Sequence, residues 1–268
     1  LDRRIVNKTS EKAIPLNNRL SVDFSGERLN IKGENEVINR GFFDDSYKNL
    51  VVEIPESMSK GLSAVTIKNQ TGSIYASGLE SEKVRIKTGK GTVDARYITS
   101  SSAEYGSGSG DINLSALKSD GLTVRANNGK ILVNDISAET ASFKTVTDDI
   151  HISGTVMQKL KAVSVMGNID FKSLSSPQEI EMAGFSGDMW IAVPKGSNFQ
   201  LEYSKLSGKL KSEFPFSGNM EKGKGLAVHG NGECKYNVHT TAGEINILQT
   251  VIPGYGKLDV RGYIRRYC

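Results

Sequence analysis

The residues best suited to chemistry lie together in one short segment, Thr147-Asp-Asp-Ile-His151. Carboxylates and an imidazole can serve as acid and base, and glycoside hydrolysis needs two carboxylates held across the scissile bond. A carbohydrate-active enzyme on acidic glycans, centred on Asp148, Asp149 and His151, is therefore one alternative for this chain. Support for this alternative depends on the structural roles of those three residues in the sequence repeat that contains them.

That repeat has a period of 19 residues and is marked by a turn position in each copy. The turn positions are Gly72, Gly91, Gly110, Gly129, Asp148, Gly167 and Gly187, the last one residue out of step. A fixed period of this kind predicts a solenoid. Gly and Asp are among the residues that best tolerate a left-handed backbone. We therefore expect the role of Asp148 to be conformational, and we expect Asp149 to occupy an ordinary solvated turn position.

Each repeat contains short stretches in which apolar and polar residues alternate, such as Val84-Arg-Ile86 before the turn and Val93-Asp-Ala95 after it. Period-two alternation over so few residues predicts β-strands. Stacking like on like predicts an inward column of Val65, Val84, Ala103, Leu122, Ala141 and Leu160. The fold class is therefore an all-β, single-domain β-solenoid with about 19 residues per rung.

The two ends of the chain depart from this pattern. We expect residues 1–60 to form an N-terminal cap or degenerate coils, 61–250 the solenoid repeats and 251–268 a closing segment of one continuous domain. Weaker copies of the rung occur at 201–210 and at 236–245, and the Gly- and Lys-rich stretch 210–235 is typical of a loop. Irregular ends are expected, because a solenoid must cover its open β-edges.

Two surface features suggest binding. Lys68, Lys87, Arg125 and Lys144 occupy the same slot of successive rungs, which places them in one column with a spacing of about 5 Å per rung. The column is either a solvated face or a track for an anionic polymer such as teichoic acid, polysaccharide or lipid head groups. Trp190, the only tryptophan, shares the outward slot of Tyr75 and would anchor a sugar or partner unless it is buried at the end of the solenoid.

Composition sets wider limits. The net charge of +4 is small against 34 basic and 30 acidic residues, so no nucleic-acid partner is expected. No zinc-type Cys/His spacing, phosphate-binding glycine loop or nucleophile motif occurs, so we expect no metal and no cofactor. Cys234 and Cys268 are either two isolated thiols or a disulfide bridge, which spacing alone does not decide. No apolar run has the ~18 residues of a membrane helix.

The Gly-x-Ile/Val-x-Ala/Leu rungs, with Met189-Trp-Ile-Ala-Val-Pro194 and the closing Gly243-Glu-Ile-Asn-Ile247, resemble the bacterial putative-adhesin family of β-solenoid proteins. The resemblance implies a single-domain solenoid with no catalytic residues to transfer. We therefore expect a non-enzymatic, cell-envelope-associated adhesin-like or scaffolding protein at the cell surface, its signal or anchor removed. Besides the glycan enzyme, a cytosolic regulatory or self-assembling β-solenoid module is a further alternative.

Overall fold

The computed structural model describes residues 5–9, 20–25, 28–33, 48–54 and 62–250. The chain divides into two units, residues 1–56 and residues 57–268. In the first unit, β1 (Ile5–Thr9) pairs antiparallel with β4 (Lys48–Val52), and β2 (Leu20–Ser25) pairs antiparallel with β3 (Arg28–Gly33).

The second unit is built from strands, and its described residues include no helix. The strands are β5 (Leu62–Thr71), β6 (Ile74–Lys90), β7 (Val93–Ser109), β8 (Ile112–Asn128), β9 (Ile131–Thr145), β10 (Ile150–Ser164), β11 (Ile169–Ser173), β12 (Glu179–Ser186), β13 (Met189–Pro194), β14 (Phe199–Ser207), β15 (Leu210–Ser212), β16 (Ser217–Met220), β17 (Lys224–His229), β18 (Cys234–Ala242) and β19 (Ile245–Thr250).

Successive long strands pair in parallel at a constant offset of 19 residues, so that Val84 lies beside Ala103 and Ala103 beside Leu122. The ladder skips a residue where each strand bends, for example at the pair Gly78 and Tyr97. The result is a β-solenoid of about 7 turns with roughly 19 residues per turn, which confirms the predicted fold class.

Alternate residues of every rung fill the interior. In the predicted inward column, the residues from Val84 to Leu160 are buried. Its two alanines are each followed two positions later by a large ring, Tyr105 after Ala103 and Phe143 after Ala141, and both rings are fully buried. Small and large side chains thus share the cross-section at close packing.

The turn positions form one edge of the solenoid, here called the glycine corner. Five of its glycines have positive φ: Gly72, Gly91, Gly110, Gly129 and Gly187. At Gly129, with φ of 147°, an added Cβ would lie 2.3 Å from the carbonyl oxygen of Gly110 in the preceding rung. Glycine is required there both by the backbone and by the close approach of the next coil.

The expectation that Asp148 uses a left-handed backbone is wrong, because its φ is not positive. Gly167, which stacks on it, does not have positive φ either. Gly167 is glycine because a Cβ would lie 2.0 Å from the carbonyl oxygen of Asp148. The left-handed conformation occurs instead at a second corner, where Tyr97, Ala116 and Asp135 have φ of 54°, 52° and 55°.

The last rungs are not stacked in chain order. The rung of β18 and β19 lies between the rung of β12 and β13 and that of β14 and β15. The intervening segment folds as the antiparallel pair β16–β17, and β17 pairs antiparallel with β14. The expectation of a loop over 210–235 is therefore wrong, since most residues of that stretch lie in β-strands. Its antiparallel strands cover the edge that the final parallel rung would otherwise expose.

Candidate functional site

The cationic residues predicted to share a slot do lie in one outward column, here called the basic column. Lys68 pairs in register with Lys87, Lys87 with Gly106, Gly106 with Arg125, and Arg125 with Lys144. Neighbouring strands lie about 4.8 Å apart, so the column extends over roughly 19 Å. Lys68, Arg125 and Lys144 are exposed and Lys87 is half-buried.

One carboxylate partly neutralises the positive charge of the column. Glu104 lies in the adjacent outward column, 2.5 Å from Lys87 Nζ and 2.5 Å from Arg85 Nε. The Lys87 ammonium, followed by the Arg85 guanidinium, lowers the pKa of Glu104, which therefore stays charged. Among the described residues, no ion pair involves Lys68, Arg125 or Lys144. The positive potential is therefore strongest at Arg125 and Lys144.

A shallow open groove of about 250 Å³ lies on the same face. Its walls are small and hydroxylated, its floor is apolar, and one end carries two lysines. The lining residues are Ser102, Gly121, Leu122, Thr123, Thr140, Ala141, Ser142, Lys159 and Lys161. Both lysines are paired with Glu181, which accepts from Lys159 Nζ at 2.6 Å and from Lys161 Nζ at 2.8 Å. The groove is thus polar and close to neutral, and beside it lie Arg125 and Lys144, which form no ion pair among the described residues.

The acidic segment serves the backbone. Asp149 is half-buried, and its Oδ1 accepts a hydrogen bond of 2.8 Å from the backbone N–H of Asn168 in the next rung. Asn168 in turn accepts from the N–H of Asp188 at 2.8 Å. The expectation that Asp149 is merely solvated is therefore wrong. Asp148 Oδ2 accepts from the hydroxyl of Thr147 at 2.9 Å, so each carboxylate has a local structural partner.

His151 lies in an outward column and is half-buried. Its Nδ1 is 3.7 Å from Asp170 Oδ2 on the next rung. The Asp170 carboxylate raises the pKa of the imidazole, and the more distant charge of Asp149 adds to this. The pair resembles an ordinary cross-strand charge pair of a sheet surface. Among the described residues, no group of three or more His, Cys, Asp or Glu side chains could hold a metal ion.

The model of the Toastrack DUF4097 family matches residues 6–248, which is most of the chain. The chain belongs to the Toastrack DUF4097 family. No curated protein matches it at a significant level. Among solved structures, it is similar to a putative cell adhesion protein from Clostridium sporogenes ATCC 15579, at 12% identity over 87% of this chain and 76% of that one, with a TM-score of 0.25.

Two further predicted sites of this Toastrack chain are the aromatic anchor Trp190 and the cysteine pair Cys234 and Cys268. Trp190 pairs in register with Asp170 and Asn246 in an outward column, and it is half-buried. Its role as an anchor stays a prediction. Cys234 is half-buried, and burial raises the pKa of its thiol. Cys268 lies outside the described residues, so the disulfide also stays a prediction.

The Toastrack rungs carry a set of hydroxyl contacts that the sequence reasoning missed. In four rungs, the residue 16 positions after the turn residue donates its hydroxyl to the carbonyl of that turn residue. These bonds join Thr88 to Gly72, Ser107 to Gly91, Thr145 to Gly129 and Ser164 to Asp148. The recurrence of Ser or Thr at an inward slot was the available signal, because a buried hydroxyl needs a partner.

In the described residues, no helix could span a bilayer.

Proposed function

We propose that this protein is a non-enzymatic, cell-envelope-associated β-solenoid that presents an extended surface for adhesion or scaffolding. Its binding element is the basic column, and its partner is an anionic polymer of the envelope or of a host surface. The location is extracytoplasmic. The family itself has no assigned activity, so support for this function comes from the surface of the chain.

The observation that carries the proposal is the register of Lys68, Lys87, Arg125 and Lys144. A polymer with regularly spaced anionic groups can contact several cations of such a column at once, and multivalent contact raises affinity without any single strong site. The rigid ladder holds the cations in place before binding, so little ordering of the backbone opposes association. Small hydroxylated side chains beside Arg125 and Lys144 leave room for the polymer to lie against the sheet.

The test is binding of the full chain to isolated cell envelopes. The column variant carries Ser at the four basic positions. Its matched control carries Ser at four exposed lysines of other columns, Lys118, Lys130, Lys172 and Lys235, which removes the same charge. We expect the column variant to lose binding and the control to retain it. Equal binding by wild type and column variant would exclude the proposed role.

A further inference from the structure

The glycine corner carries an exposed apolar surface along its later rungs. Five large side chains form it, and together they are called the apolar ridge: Val146, Val165, Met166, Phe185 and Leu206. They lie at the corner between two faces of the solenoid, at or next to the C-terminal ends of β9, β10, β12 and β14. None of them belongs to the basic column.

Backbone bonds show that the ridge residues from Val146 to Phe185 lie on adjacent rungs. The N–H of Met166 donates to the carbonyl of Val146 at 3.0 Å, and the N–H of Phe185 donates to that of Val165 at 3.2 Å. Thr241 of the inserted rung separates Phe185 from Leu206, since both flank it in register. At about 4.8 Å per rung, the ridge extends over roughly 19 Å.

The exposed area of the ridge is comparable to the largest apolar patch of a typical monomer and is too small for a standard dimer interface. The exposed fractions are 37%, 39%, 58%, 62% and 86% from Val146 to Leu206. With roughly 150–200 Å² for each large side chain, this amounts to roughly 400–550 Å². The largest apolar patch of a typical monomer is about 300–600 Å² and is often functional. A standard interface between proteins needs about 800 Å² from each partner.

We infer that the apolar ridge inserts into the interfacial region of an anionic lipid bilayer. Its side chains project from a corner between two faces, a shape that suits a deformable surface better than a second rigid solenoid. Lys144 points outward on the same rung as Val146, and Arg125 lies one rung before it. Cations beside an inserted apolar row attract anionic head groups, at about 1 kcal/mol for each Lys or Arg near the surface.

The acidic groups near the ridge do not oppose this arrangement. Asp148, Asp149 and Asp188 lie at the far side of the glycine corner, where the next face begins. The carboxylates of Asp149 and Asp188 accept backbone N–H bonds from the following rung and are held along the ladder. On the other side of the ridge lies Val163, an uncharged residue that is half-buried.

The experiment measures sedimentation of the full chain with vesicles of phosphatidylglycerol and phosphatidylcholine in equal parts. The ridge variant combines Phe185→Ser and Leu206→Ser, both at exposed positions. The control combines Tyr75→Ser and Tyr97→Asn, which removes two equally exposed rings from another face. We expect the ridge variant to lower vesicle partitioning roughly tenfold or more and the control to leave it unchanged. Thermal melts of all three proteins verify that the fold is retained.

Three results would overturn the inference: no binding of the wild type to these vesicles, equal binding of the ridge variant, or a concentration-dependent dimer that only the ridge variant abolishes.

A second readout uses Phe185→Trp, whose fluorescence should be quenched by brominated lipid while Trp190 of the wild type is not. The inference does not rest on the polymer-binding role of the basic column. Binding of the ridge variant to envelope polymer separates the two, since that binding should persist if the column alone is responsible.

Discussion

The hydrogen bond from the Asn168 N–H to Asp149 provides a direct way to separate a structural role of the acidic segment from a catalytic one. Asp149→Ala removes an ionised acceptor from a half-buried N–H at 2.8 Å. Bonds to charged groups contribute about 1.5–3 kcal/mol, and partial exposure places this one at the lower end. We expect a loss of about 1–2 kcal/mol in the free energy of unfolding, or roughly 3–6 °C in Tm for a unit of this size.

Asp149→Asn should be close to wild type, because an amide oxygen can accept the same bond. Asn168 itself does so for the N–H of Asp188 at the same 2.8 Å. The control is Asp120→Ala, which removes an exposed carboxylate that makes no side-chain bond within the described part of the chain. Urea denaturation measures all three variants. The reasoning is refuted if Asp149→Ala is as stable as wild type, or if Asp149→Asn is as destabilised as Asp149→Ala.

Three further predictions concern the corners and the charged surface. Gly129→Ala should lower the free energy of unfolding by about 2–4 kcal/mol, because its Cβ meets the Gly110 carbonyl and its φ is strained; a free energy of unfolding from urea denaturation within about 0.5 kcal/mol of wild type would contradict this. Ala116→Gly should stabilise the fold by about 0.5–1 kcal/mol, since φ of 52° costs a side-chain-bearing residue more than glycine; lower thermal stability would count against it. The pKa of Glu181 is lowered to about 2 by two lysines, so its stabilising effect is complete above its ordinary pKa of 4.5 and is lost as pH falls towards 2. Glu181→Gln should therefore destabilise the protein at pH 6 and make no difference near pH 2; a pH-independent difference in Tm would refute the assignment.

The regular part of the fold was predictable because every rung repeats the same constraints. The buried column from Val84 to Leu160 follows from alternation and the 19-residue offset alone. The order of the last rungs was not predictable. The inward residues Ile180, Tyr236 and Leu201 stack in that spatial order, and either chain order would satisfy the same hydrophobic pattern. In the observed arrangement, β17 occupies one edge of β14 by antiparallel pairing, and β18 pairs with the other edge.

The surface was predictable where one slot keeps one chemistry. The slot of the basic column is cationic in four rungs and interrupted by Gly106, and the register places its members in one column. Asp148 was misread because glycine at the corner answers two different needs, left-handed φ at Gly129 and close approach at Gly167. The apolar ridge was missed because the slot of Val146 is glutamine, glycine or asparagine in the earlier rungs, at Gln70, Gly89, Gly108 and Asn127. Aligning the later rungs by themselves would have revealed apolar residues at an outward slot.

The most direct test of the proposed function is the affinity of the full chain for poly(glycerol phosphate), measured in parallel for wild type, the column variant and its matched control. Exposed ion pairs contribute about 0.3–1 kcal/mol each, so losing the four cations should weaken binding roughly tenfold or more. The control loses the same net charge from other columns and should bind nearly as well as wild type, because distant charges are screened at physiological salt. If both variants lose affinity equally, the basic column is not the binding element.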